Sequence, residues 1–147
     1  MHHFIYYFNT KTMKHFTMSE LTRSVTASRL GIDNTPPQSA INALTQLVDH
    51  VLDPLREAWG QPIYVTSGYR CAALNRAVGG AERSQHMSGE AADVTAGSRE
   101  DNRRLWQLLQ QLRLPVDQVI NEHNYQWLHI SYGPRHRRHY FSLNPQP

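Results

Sequence analysis

The sequence predicts an α+β fold, in which helices pack on one face of a small and mainly antiparallel sheet. Two long stretches carry apolar residues at helical spacing, and several short runs are rich in β-forming residues or alternate between apolar and polar ones. At 147 residues the chain is long enough for one domain with a real hydrophobic core. We therefore expect a single domain over residues 1–147, with a candidate site on the sheet face away from the helices.

The first part of the chain is predicted to be mainly helical. Residues 1–14 are expected to form an N-terminal arm, and a short helix is expected to begin at Met18. The Thr-Pro-Pro run at residues 35–37 predicts the start of a long helix, because threonine caps helices and proline is tolerated in the first turn. Pro54 should kink this helix or end its regular part, and Gly60 should terminate it. Its apolar positions are Ile41, Leu44, Val48, Val51, Leu52, Leu55 and Trp59.

Strands and helices are predicted to alternate in the next part of the chain. A strand is expected at residues 63–66, a short helix at residues 71–78 and a second strand at residues 91–95. Ser98 should cap a second long helix, which Pro115 should end. The apolar face of that helix consists of Leu105, Leu108, Leu109 and Leu112.

Two further strands, joined by a turn, are predicted at residues 117–122 and 127–132. In the second of them Leu128 and Ile130 share the face that is expected to meet the core, which leaves the alternate residues on the opposite face. The tail at residues 133–147 is basic, and its Tyr-Phe pair at positions 140 and 141 is expected to pack as a last edge strand.

Composition sets only loose limits on function. Fifteen Lys and Arg against 12 Asp and Glu give a net charge of +3, which suits an anionic partner such as a cell wall without requiring one. Cys71 is the only cysteine, so an internal disulfide is excluded, and a packed thiol is expected rather than a nucleophile. The apolar run at residues 4–8 is too short for a signal peptide, and no stretch is long enough to predict membrane insertion.

Two histidines and one aspartate form a candidate metal site. They stand in the patterns H-x6-D at residues 86–93 and W-x-H at residues 127–129. The H-E-x-x-H motif of helical zinc proteases is absent, so the ligands cannot be neighbours on one helix turn. Strand alternation instead points Asp93 and His129 into one cleft, and His86 reaches it from the preceding loop. Zinc suits nitrogen and carboxylate ligands, and three protein ligands leave one position open for catalysis.

Three motifs, taken in this order, resemble those of a known family. They are S-G-Y-R at residues 67–70, S-x-H-x-x-G-x-A-x-D at residues 84–93 and the W-x-H motif. The family comprises the zinc peptidases that cut bacterial cell-wall peptides: the D-Ala-D-Ala carboxypeptidases, the vancomycin-resistance D-Ala-D-Ala dipeptidases and the L-Ala-D-Glu endolysins of phages. The hedgehog signalling domain shares their fold. The resemblance extends roughly from residue 15 to residue 132. It implies that zinc (Zn2+) is bound by His86, Asp93 and His129.

A cation and an acid are expected to complete the site. The resemblance implies that Arg70 lies beside the metal and holds a carbonyl oxygen or a carboxylate of the substrate, a role that its permanent charge suits. Many relatives carry an acid three residues before the last histidine, but this chain has Gln126 there, which cannot take a proton. Glu122, at the end of its strand, is the best substitute as general base, and Glu90 is the alternative.

Two further residues are candidates for substrate binding, each with a structural alternative. Ser84 could hydrogen-bond the substrate or simply cap its loop. Trp127 could pack on a bound peptide or cover the edge of the core.

The resemblance implies zinc-dependent hydrolysis of peptidoglycan stem peptides, by a D-Ala-D-Ala carboxypeptidase or by a phage-type endolysin endopeptidase. A monomer of phage or prophage origin is expected, made in the cytoplasm and acting on the cell wall after another factor releases it. A non-catalytic zinc-binding module of the same fold is the alternative, because fold does not fix function. Nucleic-acid binding through the basic cluster at residues 135–139 is a weak third hypothesis, since such clusters are usually solvated surface, and no nucleic-acid partner is expected.

Overall fold

The computed structural model describes residues 13–143, so most of the N-terminal arm expected from the sequence lies outside the described residues. The helices are α1 (Met18–Thr22), α2 (Val25–Leu30), α3 (Gln38–Leu47), α4 (Asp53–Trp59), α5 (Ala72–Ala77) and α6 (Arg99–Leu112). The strands are β1 (Tyr64–Ser67), β2 (Ala91–Thr95), β3 (Gln118–Glu122), β4 (Trp127–Ser131) and β5 (His139–Leu143). No helix in the described part of the chain is both long enough and apolar enough to cross a membrane.

The five strands form one sheet in the order β1-β2-β4-β3-β5. Strand β2 pairs antiparallel with β1 and β4, and β4 pairs antiparallel with β3, whereas β5 pairs parallel with β3. The predicted α+β class with a mainly antiparallel sheet is therefore confirmed. Strand β5 lies at the sheet edge and contains the Tyr-Phe pair that the sequence placed in a last edge strand.

The hydrophobic core lies between the long helices and one face of the sheet. Successive residues of a strand point to opposite faces of the sheet, so residues that alternate with core residues lie on the face away from the core. Asp93 and His129 alternate with core residues and therefore project from the face opposite the core. The fully buried core residues of the three central strands are Ala92, Val94, Val119, Leu128 and Ile130.

The long helix predicted from residue 35 begins later and contains a π-helical turn. Helix α3 begins after Pro37, and the Thr35 hydroxyl donates to Asp33 (2.6 Å) instead of capping the helix, so that prediction was wrong. Local bonds of this kind compete with helix capping. The π-helical turn at Val48–Leu52 joins α3 to α4, just before Pro54. Proline lacks an N–H and clashes with the carbonyl four residues earlier, and the wider turn accommodates both effects.

Helix α6 begins and packs largely as the sequence predicts. The Ser98 hydroxyl accepts the backbone N–H of Asp101 (3.1 Å) and caps the helix. Leu105 and Leu109 are fully buried against the core. Leu112, which was assigned to the same apolar face, is the last residue of the helix and is 38% exposed.

Candidate metal centre

His86, Asp93 and His129 form a buried cluster on the sheet face opposite the core. Asp93 of β2 and His129 of β4 are directly paired in the strand register, and His86 lies in a 3-10 turn at Gln85–Ser88. The Asp93 Oδ1 atom lies 3.1 Å from His86 Nε2 and 3.2 Å from His129 Nδ1. The three side chains are only 2%, 7% and 7% exposed, respectively. The structure thus brings together the three residues that the sequence selected.

The cluster fits a divalent metal ion. One ligand atom from each of the three residues lies within 4.8 Å of the other two. Two imidazole nitrogens and one carboxylate oxygen are a donor set that zinc accepts. His86 Nδ1 lies 2.7 Å from the carbonyl oxygen of Gly68. Because a carbonyl oxygen only accepts, Nδ1 carries the proton and the lone pair of Nε2 is left facing Asp93, as metal binding requires.

The contact between His86 and the Gly68 carbonyl oxygen depends on glycine at position 68, because no side chain would fit there. A Cβ atom at Gly68 would lie 2.1 Å from the backbone oxygen of Leu21, so only glycine lets the loop after β1 approach α1 this closely. The Tyr69 N–H donates to the same Leu21 oxygen (2.7 Å) and fixes the loop. The glycine of the S-G-Y-R motif thereby places its carbonyl oxygen behind His86.

Asp93 is ionised in this environment. Burial alone would raise the pKa of its carboxyl group, but the hydrogen bonds and positive charge that the His129 and His86 rings supply when protonated hold the pKa well below its usual range. A carboxylate must be deprotonated to bind a metal, so the cluster presents the correct charge state at neutral pH.

Arg70 lies beside the cluster and is held by several contacts. Its Nη2 atom is 3.6 Å from Asp93 Oδ2, while Nε donates to Ser67 Oγ (3.1 Å). Nη1 donates to the side-chain oxygen of Asn75 (3.1 Å). Asn75 is itself buried, and its Nδ2 donates to the backbone oxygen of Ala81 (2.8 Å). The guanidinium group is therefore pre-oriented, and it lines the same cleft as the cluster.

Glu122 also lines this cleft, which has a volume of about 490 Å3 and is called the metal cleft below. Burial raises the pKa of Glu122, and the nearby Asp93 carboxylate raises it further, against an opposing effect of His129. A carboxylate with a raised pKa is a stronger proton acceptor. Gln126 is exposed and is not among the residues that line the metal cleft, although its backbone N–H donates to the Glu122 carbonyl (3.0 Å).

Glu90, the alternative general base, lies elsewhere. Its carboxylate accepts a hydrogen bond from the Ser88 hydroxyl (2.6 Å), and its other oxygen packs against Gly133. It is not among the residues that line the metal cleft. The geometry therefore favours Glu122.

Ser84 and Trp127 both line the metal cleft. The Ser84 hydroxyl accepts the backbone N–H of His86 (3.2 Å) and caps the 3-10 turn, which is the structural role foreseen for it. The Trp127 ring packs against His123, with ring centroids 4.9 Å apart. Its buried indole N–H has no hydrogen-bond partner among the described residues.

The turn between β3 and β4 is a feature that sequence reasoning missed. Its residues His123, Asn124 and Tyr125 all have positive φ angles, although none is glycine. Asn102 of α6 is fully buried and donates to the carbonyl oxygens of Tyr125 (3.0 Å) and Gln126 (3.1 Å). This asparagine therefore holds the turn that joins Glu122 to Trp127.

The fold and the cluster together define a class: a small α+β domain with a three-residue metal centre in a cleft that also holds an arginine and a glutamate. Comparison with known proteins places the chain within that class. The family model described as Peptidase M15 matches residues 14–131, and the chain belongs to this family. This confirms the resemblance inferred from the three motifs.

A curated relative is similar over part of its length. The chain is 39% identical over 88 residues to a zinc D-Ala-D-Ala carboxypeptidase of Streptomyces albus G. The aligned region covers 59% of this chain and 33% of the relative, so the chain spans about a third of that protein.

Proposed function

We propose that this protein is a zinc-dependent peptidase that hydrolyses peptidoglycan stem peptides. The observation that carries the proposal is the buried cluster of His86, Asp93 and His129 in a cleft that Arg70 and Glu122 also line. Membership of the M15 peptidase family supports it, as does similarity to a relative named as a zinc D-Ala-D-Ala carboxypeptidase.

The chain's own residues account for the steps of hydrolysis. His86, Asp93 and His129 would hold the zinc ion, which would supply the Lewis acidity for polarising a carbonyl group and activating water. Glu122 accepts a proton from the attacking water and returns it to the leaving amine, for which its raised pKa is suited. Arg70 stabilises negative charge on the carbonyl oxygen or anchors a carboxylate, and Ser67 and Asn75 keep it oriented.

The surroundings of Arg70 favour a cut within a peptide over removal of its last residue. A second cleft of about 620 Å3 adjoins the metal cleft and shares the lining residues Arg70 and Val78 with it. Val25 and Val78, both in the wall of this second cleft, are 85% and 46% exposed. Exposed apolar side chains next to a site suit contact with a longer substrate. The carboxypeptidase alternative uses Arg70 as a clamp for a terminal carboxylate.

Mass spectrometry of purified stem peptides, after incubation with zinc-loaded protein, tests whether the peptides are hydrolysed and which bond is cut. An internal cut supports the endopeptidase, and loss of one terminal D-alanine supports the carboxypeptidase. Chelator-treated protein should leave the peptides intact. If the zinc-loaded protein contains stoichiometric zinc and still leaves the peptides intact, the result would favour the non-catalytic zinc-binding module instead.

A further inference from the structure

A chain of hydrogen bonds runs from the exposed side of the protein to the back of His129. Arg137 donates from Nε and Nη2 to the two carboxylate oxygens of Asp117 (2.6 and 3.0 Å). Gln85 donates from Nε2 to Asp117 Oδ2 (2.9 Å). The side-chain amide oxygen of Gln85 (Oε1) lies 3.1 Å from His129 Nε2, which is the ring nitrogen remote from Asp93.

The chemistry of these groups fixes the direction of every bond. An ionised carboxylate only accepts, so the Gln85 amide must present its NH2 group to Asp117 and its oxygen to His129. That oxygen also only accepts, so His129 must carry its proton on Nε2. The lone pair of Nδ1 then points at Asp93, in the direction of the metal centre.

Asp117 is well suited to be the fixed end of this chain. It is 3% exposed, and the Arg137 hydrogen bonds hold its pKa below the usual value for aspartate. Its backbone N–H donates to Ser131 (2.9 Å), and its carbonyl accepts the N–H of His139 (3.0 Å), so the residue is tied to the strands on both sides.

We propose that Gln85 is a positioning residue that selects the metal-binding tautomer of His129, and that Asp117 and Arg137 fix its orientation. Outer hydrogen bonds of this kind orient metal-ligating histidines and strengthen the site. The inference rests on the proposed zinc site and adds a feature to it. The Gly68 carbonyl does the same for His86, so both histidines have a neutral acceptor behind them. Asp93 is then the one anionic ligand, and the bound metal retains a net positive charge.

The zinc dissociation constant, measured by competition with a chromogenic chelator, tests this role independently of turnover. Gln85→Leu should weaken zinc binding roughly tenfold to hundredfold, the usual range for such outer partners. The matched control is Gln46→Leu, which removes an exposed contact between Gln46 and His50 of similar length (3.0 Å) outside the metal cleft. Gln46→Leu should leave the dissociation constant unchanged.

A paired exchange separates positioning from simple packing. Gln85→Glu alone sets two carboxylates against each other and should weaken zinc binding. Adding Asp117→Asn removes the second carboxylate, while the new carboxylate still accepts from His129, and should recover part of the affinity. Failure of this recovery would indicate that Gln85 matters only for packing.

Ring nitrogen NMR of the metal-free protein provides a second measurement. In the native protein His129 should show a proton on Nε2, and Gln85→Leu should give a mixture of tautomers. If zinc affinity and the tautomer are both unchanged in Gln85→Leu, the positioning role is wrong while the zinc site stands. If the native protein binds no zinc, the proposed metal site itself fails.

Discussion

The strongest prediction concerns the individual side chains of the cluster. Replacing His86 or Asp93 with alanine removes one of the three proposed zinc ligands, so bound zinc and peptidase activity should be lost together. Metal analysis of the purified variants, beside turnover of stem peptides, measures both losses. His50→Ala, which removes an exposed histidine outside the metal cleft, should retain zinc and activity. Full activity in either ligand variant would show that the metal lies elsewhere.

Glu122 should affect catalysis without affecting metal binding. Glu122→Gln keeps the shape of the side chain but cannot accept a proton, so the rate should fall about 10²–10⁴-fold while zinc stays bound. Glu90→Gln is the matched control, because Glu90 is also close to the zinc motif but does not line the metal cleft. A larger loss of rate in Glu90→Gln than in Glu122→Gln would reverse the assignment of the general base.

The sequence was sufficient to place the three cluster residues together but not to find what supports them. Strand alternation allows Asp93 and His129 to face one cleft, and the resemblance to the zinc peptidases selects them together with His86, so motifs along the chain were enough. Gln85 occupies a position that the motif leaves unspecified, and its role depends on Asp117, 32 residues further along the chain. Such a contact exists only once β3 and the 3-10 turn are packed, and nothing near Gln85 in the sequence signals it.

Among the elements, the turn between β3 and β4 shows most clearly where local reasoning ends. Three consecutive non-glycine residues in the left-handed region are unfavourable locally, and contacts from a distant part of the chain help to stabilise them. Asn102 supplies those contacts from α6, and its side-chain oxygen also accepts the Ala96 N–H (2.7 Å). The sequence predicted the two strands on either side, but the conformation of the turn depends on a helix that precedes them.

Asn102 should therefore matter for stability and for the site. Asn102→Ala removes the donor to the carbonyl groups of Tyr125 and Gln126 and the acceptor of the Ala96 N–H, which should lower the free energy of unfolding by about 1–3 kcal/mol. Activity should also fall, because the turn sets the position of Glu122 relative to the cluster. Chemical denaturation and turnover measure the two effects. Asn42→Ala, at an exposed position of α3, should change neither by a comparable amount.

For the molecule as a whole, the chain Arg137–Asp117–Gln85–His129 links the segment before β5 to the metal centre. Residues 135–139 looked like a solvated basic cluster in the sequence, but Arg137 pairs with a buried carboxylate and Arg138 donates to the backbone oxygen of Arg113 (3.3 Å). These contacts use two of the arginines within the fold, which leaves less support for the hypothesis of nucleic-acid binding.

The pairing of Arg137 with Asp117 predicts how the stability of the metal-free protein depends on pH. Folding lowers the pKa of Asp117, mainly through hydrogen bonds from Arg137. The Asp117 carboxylate therefore stabilises the folded protein fully above the ordinary aspartate pKa of about 3.9, and this stabilisation is lost as the pH falls through the lower pKa of the folded state. Arg137→Ala should therefore destabilise the protein at neutral pH, and the difference from the native protein should shrink in acid. Asp93, whose pKa is also lowered, is present in both proteins, and its effect cancels in the comparison.

Denaturant titrations of both proteins between neutral pH and about pH 3 measure this difference across the relevant range. Arg104→Ala controls for the loss of one positive charge, because Arg104 forms only exposed ion pairs within α6. Its effect on stability should be small, since exposed pairs contribute little. A difference for Arg137→Ala that stays constant down to acid pH would show that Arg137 does not act through the charge of Asp117. The fixed end of the hydrogen-bond chain behind His129 would then need another explanation.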